Sequence, residues 1–79
     1  MAHFTGTITR IAFFRRTRVA DTELVVEVTG SDMRTFTVQG NGAVLLCSFL
    51  IIGKTYTVDY TPMSGGEYDG EIHSAIDRN

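Results

Sequence analysis

The chain has one cysteine, one proline and no tryptophan in 79 residues. A single cysteine, Cys47, excludes an internal disulfide, on which small secreted domains usually depend. Its first residues form neither the basic nor the apolar segment of a secretory signal. The longest apolar run, residues 43–52, contains Ser48 and is about half the ~20 residues that a membrane span requires. We therefore expect a cytoplasmic protein that does not cross a membrane.

Sequence motifs of catalysis are also missing. There is no GxSxG turn, no P-loop and no glycine-rich dinucleotide turn, and each of these motifs is needed for a specific chemistry. The two histidines, His3 and His73, stand at spacings from Cys47 and Asp69 that match no metal pattern. The sequence predicts a protein that is not an enzyme and needs no metal or cofactor.

The length and composition indicate one globular domain that covers residues 1–79. Hydrophobic residues make up 43% and charged residues 20% of the chain, values that are typical of folded domains rather than disordered ones. A domain this short buries a modest fraction of its surface, so its core must be efficient.

Most of the sequence reads as β-strands. Five segments are rich in β-formers or alternate between apolar and polar residues, namely residues 4–14, 23–29, 34–39, 54–60 and 68–76. In the second segment Leu24, Val26 and Val28 point inward. In the first, the apolar positions change parity, which predicts a bulge near Gly6 or Arg10.

Further core positions follow from the same alternation. We expect Tyr56 and Tyr60 in the core, with hydroxyls at the barrel rim. In the last segment Tyr68, Ile72 and Ile76 are expected to share one face.

The segment 43–50 is apolar nearly all round, so periodicity alone leaves both a helix and a buried strand open. Its leucines favour a helix, for which Asn41 is the expected N-cap and Gly53 the expected C-cap. One face of a helix cannot hide so many apolar side chains. We therefore expect a second subunit to cover the remainder, which predicts a homodimer.

The predicted elements follow the order of three strands, one helix and two strands, which is similar to the order in OB-folds. Residues 6–11 (GTITRI) and 50–58 (LIIGKTYTV) carry most of this resemblance. It implies a mainly β fold, a small five-stranded antiparallel barrel with one short helix between strands 3 and 4. It also implies oligonucleotide binding across strands 2 and 3, between the first and last inter-strand loops. In length the chain further resembles small phage or mobile-element products.

Charge is distributed unevenly along the chain. Residues 1–20 carry +4 and residues 21–79 carry −6 (three cations against nine acids), which together give −2. Cations beside aromatic rings suit single-stranded nucleic acid, because cations bind phosphates and rings stack on bases. We therefore predict a binding module for single-stranded or looped nucleic acid, with candidate contacts at Arg10, Phe13, Phe14, Arg15, Arg16, Arg18 and Arg34.

Other charges support an alternative. Glu23 and Glu27 are expected on the outward face of strand 2, where bases would stack. Acidic residues are expected to form a face along strands 4 and 5, and this face would suit a protein partner. It comprises Asp59, Glu67, Asp69 and Glu71, of which the last three are expected to alternate on strand 5. The alternative is therefore a small protein-interaction module that acts as a regulator or inhibitor, or an oligomeric structural subunit.

Overall fold

The computed structural model describes residues 2–79. Along them lie five strands, one 3-10 turn and one α-helix: β1 (Ala2–Phe14), the turn (Val19–Asp21), β2 (Glu23–Thr29), β3 (Met33–Gln39), α1 (Asn41–Phe49), β4 (Thr55–Pro62) and β5 (Gly70–Asp77). No helix among these residues has the length and apolar content needed to cross a bilayer.

The strands close into a barrel in the order β1-β2-β3-β5-β4. Four of its five seams are antiparallel. The fifth joins β3 to β5 in parallel through the pairs Phe36 with Gly70 and Thr37 with Glu71. The predicted OB-like barrel is therefore confirmed, and it differs from the expectation only in this one parallel seam.

The length of β1 allows it to bridge both sides of the barrel. Its first half pairs with β4, and its second half pairs with β2 after a register shift between Ile8 and Arg10, which confirms the bulge predicted near Arg10. Before the shift, β1 passes very close to β2 at Gly6. A Cβ at this position would lie 2.7 Å from the carbonyl oxygen of Thr29, so only glycine fits.

The core fills the barrel with alternating side chains from every strand. Tyr56 and Tyr60 belong to it, as predicted. The ring centroid of Phe36 lies 4.7 Å from that of Tyr60 and 6.2 Å from that of Phe4. These three aromatic side chains fill the barrel away from the helix, at separations where ring pairs attract each other.

Residues 41–49 form a helix, which settles the choice between helix and buried strand in favour of the helix. Ala43, Leu46 and Leu50 are buried against the barrel. Successive spacings of three and four residues place them on one face, so the helix closes one end of the barrel.

Both predicted helix caps are wrong. The N-cap is Gly40, with a φ of 75° that suits glycine, and Asn41 is already helical. At the other end Leu50 is extended and donates its N–H to the carbonyl of Leu46. Gly53 lies beyond it in a turn, where its N–H donates to the carbonyl of Ile8. The position of Gly53 is therefore set by its hydrogen bond to β1 and not by a role as a helix cap.

A second bulge changes the inward face of β5. Its pairing with β4 shifts register between Asp59 and Tyr60. Before the shift, Ile72 is buried. After the shift, Ala75 packs on the core and Ile76 is exposed. The expectation that Ile72 and Ile76 share one face is wrong, because an extra residue reverses the alternation.

Candidate nucleic-acid interface

The loop between β1 and β2, residues 15–22, carries three of the predicted cations. Arg15, Arg16 and Arg18 are all exposed. Arg18 forms an ion pair with Asp21 at 3.4 Å, with both side chains more than half exposed, so the pair contributes little. Within residues 2–79, neither Arg15 nor Arg16 forms an ion pair. The loop therefore presents uncompensated positive charge.

A buried threonine holds this loop in place. The hydroxyl of Thr22 donates to the carbonyl of Arg18 at 3.3 Å and accepts the backbone N–H of Arg16 at 3.4 Å. Its own carbonyl accepts the N–H of Gly40 at 2.9 Å. Thr22 thus fastens the arginine loop to the start of the helix. Thr22 was not among the predicted site residues, although a threonine after a 3-10 turn commonly forms such local hydrogen bonds.

The two adjacent phenylalanines face different clefts, as expected of neighbouring residues on a strand. Phe13 lines a groove beside the helix and Phe14 lines a cleft on the outer sheet. They are 36% and 41% exposed, so neither ring belongs to the core. The guanidinium of Arg16 lies 5.7 Å from the ring centroid of Phe14. Phe13 therefore presents a partly exposed ring to the groove, whereas Arg16 already covers one side of the Phe14 ring.

The groove beside the helix is called the loop–helix groove below. It has a volume of about 400 Å³, with cationic and apolar side chains on its walls and no carboxylate among the residues that line it. The lining residues are Phe13, Arg15, Arg16, Thr17, Val19, Thr22, Val44, Cys47 and Ser48. It brings together one predicted ring and two predicted arginines.

The outer sheet of β1, β2 and β3 carries a different, mixed charge. A cleft of about 290 Å³ there is lined by Arg10, Phe14, Glu27, Glu67 and Tyr68, with smaller side chains as its floor. Glu27 stands opposite Arg10 in the strand register. Glu23 and Glu71 line a neighbouring cleft. The predicted carboxylates of β2 do lie on this face, where they repel phosphate.

Tyr68 does not share the inward face predicted for it with Ile72. It precedes β5 and lies half-buried between the two outer clefts. Burial, with the nearby carboxylates of Glu67 and Glu23, raises the pKa of its phenol. The ring is therefore part of the outer face and not of the core.

Arg34 does not belong to the interface. Its guanidinium lies 4.5 Å from the ring centroid of Phe4, donates to the hydroxyl of Tyr60 at 2.7 Å and pairs with Asp32 at 3.1 Å. These partners sit at the end of the barrel away from the helix. Arg34 thus covers the aromatic part of the core and is not grouped with the arginine loop.

The predicted acidic face is divided. Glu67 and Asp69 precede β5, so only Glu71 lies on that strand. The carboxylate of Asp69 already accepts a hydrogen bond from the N–H of Thr35 at 2.8 Å. The expectation that Glu67, Asp69 and Glu71 alternate on strand 5 is wrong, because the strand begins only at Gly70.

Asp59 lies apart from the other acids, on β4. It accepts hydrogen bonds from His3 and from Ser74, and these bonds lower the pKa of its carboxyl. The second histidine, His73, bonds with Thr61. Among residues 2–79 no group of three His, Cys, Asp or Glu side chains is placed to hold a metal ion.

The fold and its clefts define the class of the molecule as a small OB-like barrel with one basic groove beside the helix and an outer face of mixed charge. Comparisons with protein-family models, with curated proteins and with solved structures found no match.

Proposed function

We propose that the protein is a non-enzymatic binding module that holds single-stranded or looped nucleic acid in the loop–helix groove. The observation that carries this proposal is the meeting of Arg15, Arg16 and Phe13 at a groove that no carboxylate lines. The single cysteine also supports a reducing, cytoplasmic location.

The contacts follow from the chemistry of the groove. Arg15 and Arg16 contact phosphates, and Phe13 stacks on a base. The apolar side chains of Val19 and Val44 cover the edge of that base. The bound strand avoids the outer sheet, because Glu27 and Glu67 would repel its phosphates there. This path differs from the usual OB route across strands 2 and 3.

Fluorescence anisotropy of labelled ~20-nucleotide DNA and RNA, at two or more salt concentrations, tests the proposal. We expect binding at micromolar protein that weakens steeply with salt. The double variant Arg15→Ala/Arg16→Ala should lose about 1.4 from the slope of log affinity against log salt, since each phosphate contact on a single strand contributes about 0.7.

The matched control is Lys54→Ala/Arg78→Ala, which removes the same charge from residues that flank β4 and β5 and line none of the three clefts. It should keep the salt slope. Equal losses in both double variants would mean that overall charge, not the groove, attracts the nucleic acid. No binding by the wild-type protein at low salt would overturn the proposal.

A second candidate is a protein-interaction module that docks a basic segment on the outer sheet. It is favoured by Glu27 and Glu67 in one outer cleft, beside the rings of Phe14 and Tyr68, since carboxylates pair with cations and rings attract them. In this case Glu27→Gln/Glu67→Gln abolishes binding of an arginine- and lysine-rich probe peptide. The groove variants would leave that binding unchanged.

A further inference from the structure

Helix α1 leaves apolar side chains uncovered on the flank away from the loop–helix groove. Leu45 and Phe49 are 70% and 46% exposed, and Ile51 and Ile52, which follow the helix, are 53% and 60% exposed. Leu45 and Phe49 are four residues apart and therefore share a face of the helix. These four side chains are called the apolar face below.

A buried tyrosine holds the end of the helix and the start of the turn that follows it. The hydroxyl of Tyr56 accepts the N–H of Ile51 at 3.0 Å and donates to the carbonyl of Phe49 at 3.3 Å. The ring of Phe49 also meets the ring of Tyr56 edge-on, with centroids 5.6 Å apart. The end of the helix and the turn after it are thus held to the barrel by one side chain.

The composition of this surface restricts what can cover it. From Gly40 to Gly53 the chain contains no charged residue. Phosphates and acidic peptides find no cation here. A helix that lies in a membrane surface normally carries Lys or Arg on its polar face, and α1 has none. An uncharged apolar partner surface remains, and a second copy of the chain offers one without any like-charge contact.

The area of the four side chains is sufficient for the centre of a self-association interface, with the rest supplied by its rim. The exposed area of the four side chains is on the order of 400 Å² per copy, about half of the area that each partner buries in a standard interface. Apolar residues normally form the centre of an interface, and polar neighbours form its rim. Leu45, the most exposed of the four, stands at the middle of the helix.

We propose that two copies of the chain pair through their apolar faces in an isologous dimer, with the two helices meeting near Leu45. The opposite flank of α1, with Val44, Cys47 and Ser48, lines the loop–helix groove. Pairing therefore leaves both grooves open. The inference rests on the apolar face alone and not on the proposed nucleic-acid function.

Analytical ultracentrifugation across a concentration series tests this pairing. We expect the wild-type protein to sediment as a dimer at tens of micromolar. Leu45→Glu should raise the dimer Kd at least 100-fold, because it places two carboxylates at the centre of the interface. Ile52→Lys is a second variant with the same expected direction. Circular dichroism verifies that each variant is folded.

The matched control is Met33→Glu, since Met33 is 60% exposed and lies at the far end of the barrel. It should leave the Kd unchanged. A cross-link adds a positional test: in a Cys47→Ser background, Leu45→Cys should form a covalent dimer under mild oxidation, and Met33→Cys should not. A wild-type monomer at 200 µM, or a dimer that Leu45→Glu does not weaken, would overturn the proposal.

Discussion

The hydroxyl of Tyr56 offers a sharp test of how the helix end is held. Tyr56 is 1% exposed, and its hydroxyl bonds with the N–H of Ile51 and the carbonyl of Phe49. Tyr56→Phe keeps the buried ring and removes only these two bonds. The carbonyl of Phe49 belongs to the last turn of the helix, where no intrahelical N–H can replace the lost donor.

The expected cost follows from the two hydrogen bonds. Each contributes about 1 kcal/mol net, so Tyr56→Phe should lower the free energy of unfolding by about 2 kcal/mol. For a domain of this size, this corresponds to a fall in Tm of roughly 8–16 °C. Urea unfolding followed by circular dichroism measures the change, and the m-value should stay constant.

Tyr68→Phe is the matched control, because it also removes one phenolic oxygen, from a half-buried tyrosine outside the core. Its effect should stay within about 0.5 kcal/mol. Equal stability of Tyr56→Phe and the wild-type protein would show that the hydroxyl does not hold the helix end.

Three further predictions concern the barrel and its charges. Gly6→Ala should destabilise the protein by about 1–3 kcal/mol in urea unfolding, because the added methyl overlaps backbone of Thr29. Arg34→Ala should lower the Tm but leave nucleic-acid affinity in anisotropy titrations unchanged, since Arg34 covers the core. The lowered pKa of Asp59 means that the folded state binds this proton less tightly than the unfolded state. Its stabilising contribution is therefore complete above the ordinary carboxyl pKa of about 4 and is lost as the pH falls through the lowered value. Asp59→Asn, which cannot ionise beside His3, should flatten the fall in Tm over the acid range.

Much of the barrel could be predicted, because alternation reports burial directly. Residues 23–29 have the predicted strand bounds, since Leu24, Val26 and Val28 recur there at every second position. The same rule could have placed Arg34 correctly. It shares parity with Phe36 and Val38, both buried, and this signal indicated an inward side chain rather than one at a binding loop.

Bulges limit this kind of prediction. In β5 the pattern suggested that Ile72 and Ile76 share one face. The extra residue between them is demanded by the curvature of a closed barrel, and it leaves no mark in the local sequence. The predicted helix caps were wrong for a similar reason, since tertiary hydrogen bonds set the positions of Gly40 and Gly53.

The loop–helix groove itself could not be predicted from the sequence. The arginine loop and Phe13 could be singled out as a cluster along the chain. Their opposite wall, Val44 and Ser48, comes from a helix about thirty residues later, and Thr22 fixes the distance between the two. Only the closed barrel brings these parts together. The division of the acidic residues between the outer clefts and β4 depends on the same closure.

The most direct test of nucleic-acid binding in the loop–helix groove is a backbone-amide NMR titration of the wild-type protein with a short single-stranded oligonucleotide. Binding in the loop–helix groove predicts shift changes concentrated at residues 15–22 and at Val44 and Ser48, the two walls of that groove. Shift changes confined to the outer faces of β2 and β3, or none at saturating oligonucleotide, would contradict it.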